Sequence, residues 1–279
     1  MMELEMLRAI QSIANPFFDF FFELITVAGE QIVLILLFCA VYWVFDKKLG
    51  HTMGLTIITS LFVNNALKEL FDMPRPIGEE GIRSLRTETA TGKSFPSGHT
   101  QGAAAAYGSF ALGMGKPWLH WVVGIIVTLI GLSRLYLGVH YPKDVAAGLA
   151  LGFLCAVLCR WLTKRIQNLA VLLAGVNGLM VLLVLFLPSE DGIKAAGLAL
   201  GMLVGYLIEQ KKIRFTTVDL TAKKKIKRYV IGMIVVLVCY GLPKLLIPFD
   251  IGIVWYLRYA FVSFSITVLA PLTFRKFDC

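Results

Sequence analysis

Three short polar clusters lie between residues 68 and 144 of a 279-residue chain that is otherwise strongly apolar. The first is Lys68 followed by Arg75-Pro76, the second is Phe95-Pro96-Ser97-Gly98-His99, and the third runs from Ser133-Arg134 to His140, Pro142 and Asp144. Together they hold three cations, Lys68, Arg75 and Arg134, with two histidines and one carboxylate. Charged groups at membrane depth are costly, so their grouping in so apolar a chain calls for a functional explanation. Cutting a phosphoester requires that the negative oxygens be held, that a nucleophile attack in line and that the leaving oxygen receive a proton. The clusters contain a group for each of these tasks.

Lys68, Arg75 and Arg134 can neutralise phosphoryl oxygens, the arginines with bidentate geometry. Ser97 and Gly98 open a helix after Pro96, where free backbone N–H groups and the positive helix end favour an anion. Gly98 carries no side chain to block a close approach. Histidine, with an unperturbed pKa of about 6.5, serves as base or acid at neutral pH. His140 precedes a helix that Pro142 starts, and Asp144 stands four residues on. A carboxylate there can hold one ring nitrogen as N–H and aim the other at phosphorus. His140 is therefore the expected nucleophile, Asp144 its orienting group, and His99 the general acid that later activates water against the phosphohistidine. An arginine at a span end that snorkels to headgroups would carry none of this alone; the conjunction of the clusters does. His51 and His120 receive no role.

The elements that must position these groups follow from composition. Hydrophobic residues make up 57% and charged residues 16%, with a mean hydropathy of +0.75, which predicts an all-α polytopic transmembrane helix bundle. The apolar runs predict about nine spans, at 30–46, 51–71, 97–114, 118–138, 144–162, 168–187, 192–209, 228–247 and 251–271. This divides the chain into an N-terminal interfacial segment, 1–29, a catalytic core, 30–165, and a four-span extension, 166–279. Residues 16–29, with Asp19 and Glu23 among five phenylalanines, fit the interface better than a short additional span. A formal charge of +9 would suggest nucleic acid in a soluble protein. Here the basic residues sit in short loops, the positive-inside pattern, so no nucleic-acid partner is expected.

Lys47, Lys48, Lys116, Arg160, Lys164, Arg165, the run 211–228 and the tail 275–276 mark the cytoplasmic side. The clusters then face the extracytoplasmic side of a multi-pass protein of the plasma membrane. The basic run fits a topology signal better than a lipid-headgroup site. The five cysteines read as small apolar residues without the spacing of a zinc site. No cleavable signal peptide is expected, because residues 1–14 carry Glu3, Glu5 and Arg8. Gly197, Gly201 and Gly205 let helices approach closely, either within the chain or in a homodimer. Arg83, Arg86 and Lys93 read either as contacts to a substrate headgroup or second phosphate, or as ordinary solvated loop charges. Arg258, inside the last span, is expected to form a salt bridge with Asp250.

The clusters resemble the signature motifs of the type 2 phosphatidic acid phosphatase superfamily of membrane lipid phosphatases. In that pattern six residues separate a lysine from Arg-Pro, Pro-Ser-Gly-His follows, and Ser-Arg lies five residues short of a histidine that three residues separate from aspartate. Lys68, Arg75-Pro76, Pro96-Ser97-Gly98-His99, Ser133-Arg134, His140 and Asp144 match at every position, within about the first 165 residues. The resemblance implies the roles reached above, an all-helical core, a site facing away from the cytoplasm, and no metal or cofactor. Its soluble relatives, the vanadium haloperoxidases, share the site but not the spans. The extension beyond residue 165 is similar to that of sphingosine-phosphate and glucose-6-phosphate phosphatase relatives. The expected function is hydrolysis of the phosphomonoester or pyrophosphate of a membrane lipid through a phosphohistidine. The competing reading is a lipid-phosphate transporter or binding protein that retains the phosphate site; binding alone would need only the cations.

Overall fold

The computed structural model describes residues 2–247, 249–277 and 279, so Met1 of the N-terminal segment lies outside the described residues. Among the described residues every regular element is a helix, and there are no strands. The first four α-helices are α1 (Met2–Gln11), α2 (Pro16–Val27), α3 (Gln31–Ala40, continued by a π turn over Val41–Phe45) and α4 (Lys47–Phe71). The middle of the chain forms α5 (Gly98–Met114), α6 (Pro117–Tyr136) and α7 (Pro142–Arg165). Then come α8 (Leu169–Phe186), α9 (Glu190–Ile208), α10 (Ala222–Leu246), α11 (Gly252–Phe264) and α12 (Ala270–Lys276).

Local chemistry sets the helix ends. Asn15 caps α2 by accepting from the N–H groups of Phe17 and Phe18, with Pro16 in the first turn. Pro117 and Pro142 open α6 and α7 in the same way, where a missing N–H costs nothing. Gly115 closes α5 in the left-handed conformation that suits glycine. Asn168, Ser189 and Thr221 cap α8, α9 and α10 through their side chains.

Each of the nine apolar runs falls on a helix, and fewer than nine of these helices meet the length and composition of a membrane span. Six helices are long and apolar enough to cross a membrane, or up to seven if α2 and α3, bent by 47° at their junction, count as one. α4 and α5 do not qualify. α5 is only 17 residues long and rich in alanine, glycine and polar side chains, and α4 carries Lys47, Lys48, His51, Asn64, Asn65, Lys68 and Glu69.

The chain divides into two compact units, Met1–Ile35 with Val63–Arg160, and Leu36–Phe62 with Trp161–Cys279. In the first, α5 is the innermost helix, with Ala103 to Ala106 fully buried. Its small side chains let α7 approach at backbone distance. A Cβ at Gly148 would stand 2.9 Å from the Ser97 carbonyl oxygen, and one at Gly152 would overlap that of Gln101. Val123, Val127 and Ile130 of α6 complete this core.

In the second unit Tyr42, Trp43, Phe215 and Phe274 form an aromatic cluster, and the Trp43 indole donates to the Ile266 carbonyl at 2.9 Å. The glycine stripe of α9 is occupied within the chain: Gly197 and Gly201 lie against the Tyr256 and Ala260 carbonyls, and Gly205 against Thr267. Arg228, from the basic run, is buried and donates to the carbonyls of Trp43, Thr216 and Cys279. The Arg258–Asp250 pair is present at 3.7 Å.

The α5–α7 approach predicts opposite outcomes for two glycines. Gly152→Ala should lower stability by about 1–3 kcal/mol through overpacking against rigid backbone. Gly124→Ala on α6, where a Cβ meets open space, should be neutral or stabilising by up to about 1 kcal/mol. Thermal unfolding of the purified protein in detergent checks both.

Candidate active site

Four helix ends of the first unit carry the polar clusters. Lys68 sits in the last turn of α4, Ser97 caps α5, Arg134 lies in the last turn of α6, and Asp144 in the first turn of α7. Hydrogen bonds tie these ends to one another. The Ser97 N–H donates to the Asp144 carbonyl at 3.0 Å, and the Asn64 amide of α4 donates to the Pro96 carbonyl at 3.3 Å. The turn between α6 and α7 is tight, with Gly138 at φ +65°. A Cβ there would overlap the Arg83 carbonyl, so glycine is required on two counts.

His140 is buried at the centre, 1% exposed, in that turn. Its Nε2 accepts from Arg75 Nη1 at 2.8 Å, and its Nδ1 lies 3.2 Å from Asp144 Oδ2. Because a guanidinium only donates, Nε2 carries the lone pair and Nδ1 the proton. Asp144 Oδ2 also accepts from the Ser94 hydroxyl at 2.5 Å and from the Tyr141 N–H at 2.8 Å. Three further donors of Arg75 reach the carbonyls of Thr91, Gly92 and Val139 at 2.9–3.0 Å, which fixes its guanidinium between the loop and the turn.

Arg134 is fully buried and donates from Nη1 to the Thr26 hydroxyl at 2.8 Å. Its Nε and Nη2, with Nε2 of His99, are buried without a hydrogen-bond partner among the described residues. Arg134, His140, Arg75 and Lys68 all stand within electrostatic reach of His99. Ser97 directs its hydroxyl to that of Thr100 at 3.0 Å, and a Cβ at Gly98 would meet only Asn64 Oδ1, at 3.4 Å. The structure thus brings Lys68, Arg75, Ser97, Gly98, His99, Arg134, His140 and Asp144 to one region of one unit.

Electrostatics follow from this crowding. Burial holds the His140 imidazole well below its ordinary pKa of 6.5, and Arg75, Arg134 and Lys68 push it the same way. Burial lowers the Arg75 guanidinium to about 10, against the pull of Asp144, so it stays cationic at neutral pH. The ring offers a lone pair in a strongly positive enclosure, an arrangement suited to attack on a bound anion.

The loop cations have partners. Arg83 grips both oxygens of Asp19 at 2.8 and 2.5 Å, Arg86 pairs with Glu30 at 2.6 Å, and Lys93 pairs with Asp72. Gln11 of α1 donates to the carbonyls of Arg83 and Tyr136 at 2.7 and 2.8 Å, and Arg8 donates to that of Glu80. The sequence reading missed Ser94, Asn64 and Thr26. Asn64 had a usable signal, since it lies one helical turn before Lys68 and shares its face. A serine in a loop and a threonine on an aromatic helix carry none.

Residues 50–168 match the PAP2 superfamily, and residues 193–279 match the family described as PAP2 superfamily phosphatase, transmembrane extension. The chain is similar to phosphatidylglycerophosphatase B of Bacillus subtilis, 34% identical over 128 residues, covering 43% of this chain and 60% of that relative's length. It is 30% identical over 163 residues to undecaprenyl-diphosphatase BcrC of the same organism, covering 56% of this chain and 82% of that relative. Among solved structures it is similar to LpxE of Aquifex aeolicus, with a TM-score of 0.52 and 29% identity over 57% of this chain and 94% of that one.

Burial of a neutral histidine has a consequence for stability. The unfolded chain binds a proton at His140 as pH falls through 6.5, while the folded protein does not. The stability that this residue contributes is present above 6.5 and lost below it, by up to about 1.4 kcal/mol per pH unit. Thermal midpoints measured between about pH 8 and pH 5 should therefore fall more steeply for the wild type than for His140→Gln.

Proposed function

Since the chain belongs to the PAP2 superfamily, we propose that it is a membrane lipid phosphatase that cleaves a phosphomonoester or pyrophosphate through a phosphohistidine on His140. What carries this reading is the row Arg75–His140–Asp144, in which a neutral ring keeps its Nε2 lone pair among cations and its Nδ1 proton against a carboxylate. On binding, the phosphoryl oxygens take the donors of Lys68, Arg75 and Arg134, the Arg75 contact to Nε2 opens, and Nε2 faces phosphorus. The Nε2–P bond forms as the bond from phosphorus to the leaving oxygen breaks, and that oxygen takes a proton from His99. Asp144 supports the positive charge that develops on the ring. His99 then takes a proton from water, the new hydroxide attacks phosphorus, and cleavage of the P–N bond releases inorganic phosphate and neutral His140. Ser97, Gly98 and the first-turn N–H groups of α5 add donors to the developing charge.

The named relatives support a lipid phosphate or diphosphate as substrate, since their names denote a phosphatidylglycerophosphatase and an undecaprenyl-diphosphatase. The lipid tail stays in the bilayer while the phosphate enters the polar helix ends. The site faces the extracytoplasmic side of the plasma membrane, because the lysine- and arginine-rich loops belong to the opposite helix ends.

Purified protein assayed against phosphatidate, phosphatidylglycerol phosphate and polyprenyl diphosphate should release inorganic phosphate from at least one of them. His140→Ala should reduce turnover by at least about a thousandfold, and His99→Ala by about 10² to 10⁴. Substantial turnover in His140→Ala would remove the covalent mechanism, and no release from any lipid by the wild type would favour a binding or transport role. Ser94→Ala, which takes one charge-assisted hydrogen bond from Asp144, should cost about tenfold in kcat with a small change in KM.

A further inference from the structure

The buried guanidinium of Arg134 is held by a residue outside the matched family region. Thr26 lies on α2, and the PAP2 match begins at residue 50. Its hydroxyl is fully buried and accepts from Arg134 Nη1 at 2.8 Å. The segment that carries it is clamped to the site at several points. The Tyr107 hydroxyl of α5 donates to the Ala28 carbonyl at 2.8 Å, and a Cβ at Gly29 would stand 3.3 Å from the His99 carbonyl oxygen and 2.8 Å from Ile130. Glu30, at the same bend, pairs with Arg86 at 2.6 Å, and both stand within electrostatic reach of Arg134. α2 and the bend after it therefore form a fixed wall behind the guanidinium.

We propose that Thr26 is a positioning residue for phosphoryl binding, which rests on the phosphoryl-transfer reading of this site. A guanidinium can present a two-donor edge only when its rotation about the side-chain axis is stopped. Thr26 engages Nη1 and leaves Nε and Nη2, both without a partner among the described residues, as the edge offered to two phosphoryl oxygens. Burial adds to the effect, because a guanidinium this desolvated loses heavily when its single side-chain acceptor is removed. The bend at Glu30 supplies a carboxylate that takes up Arg86, so the neighbouring cation does not push Arg134 out of place.

The test compares three forms of the full-length protein: wild type, Thr26→Val, which keeps the shape without the acceptor, and Thr26→Ser, which restores the hydroxyl. Binding of inorganic phosphate is followed by calorimetry, and kcat/KM by phosphate release from the best substrate of the lipid panel. Thr26→Val should weaken phosphate binding and lower kcat/KM by about tenfold each, and Thr26→Ser should stay within about twofold of wild type. The thermal midpoint of Thr26→Ser should match that of wild type, with Thr26→Val somewhat below both but still folding cooperatively. Unchanged phosphate affinity in Thr26→Val overturns the proposal, as does an equal loss in Thr26→Ser. Thr26→Ala gives the same comparison should the valine variant not fold; if neither folds, the hydroxyl serves the fold and the proposal fails. A wild type that cleaves no lipid while Thr26→Val still binds phosphate more weakly than Thr26→Ser overturns the hydrolytic reading and supports the positioning role.

Discussion

Arg75 donates to Nε2 of His140 at 2.8 Å while Oδ2 of Asp144 stands 3.2 Å from Nδ1, and the ring between them is almost wholly withdrawn from water. A cation and a carboxylate enclosed in an apolar bundle are tolerable only when their polar atoms have partners. Asp144 Oδ2 accepts from Ser94 and the Tyr141 N–H, and Arg75 places three of its other four donors on backbone carbonyls, which leaves one Nη2 N–H for a ligand. Among the buried atoms left over are Nε and Nη2 of Arg134 and Nε2 of His99. A phosphoryl group could satisfy these at once, which would turn the cost of enclosing them into affinity for an anion.

Much of the first unit serves to hold that row together. Gly148 and Gly152 let α7 reach the backbone of α5, so the Ser97 N–H meets the Asp144 carbonyl and the two helix starts stay in register. Gly138 turns the chain tightly enough to put His140 under Arg75. α1 ties down the surrounding loop through Gln11 and Arg8. The loop's own cations are neutralised by Asp19, Glu30 and Asp72, so they act as latches. Their charge is spent on local order, and the positive potential at His140 comes from Arg75, Arg134 and Lys68.

The second unit uses different physics. Its glycine stripe on α9 receives the carbonyls of α11, the close approach that gives van der Waals contact where lipid offers no hydrophobic gain. Some of its charged residues are spent on structure as well: Lys47 pairs with the buried Glu209, and Arg228 gathers three carbonyls.

The helices and the motif residues were legible from the chain alone because both depend on short-range rules. Hydropathy averaged over a window marks an apolar helix wherever it occurs, and Pro142 opening a helix puts Asp144 in its first turn, close in sequence to His140 just ahead of it. Whether α4 and α5 are spans was less legible, since their polar and small residues face neighbours that composition does not name. Ser94, Thr26 and Glu30 acquire their meaning only from Asp144, Arg134 and Arg86, which stand 50, 108 and 56 positions away. The same holds for Arg83 and Arg86, whose sequence context fits a solvated loop as well as a latch. Composition and local periodicity settle what each segment becomes; which hydroxyl or carboxylate meets which cation is decided when glycine and alanine faces let the helices close on one another.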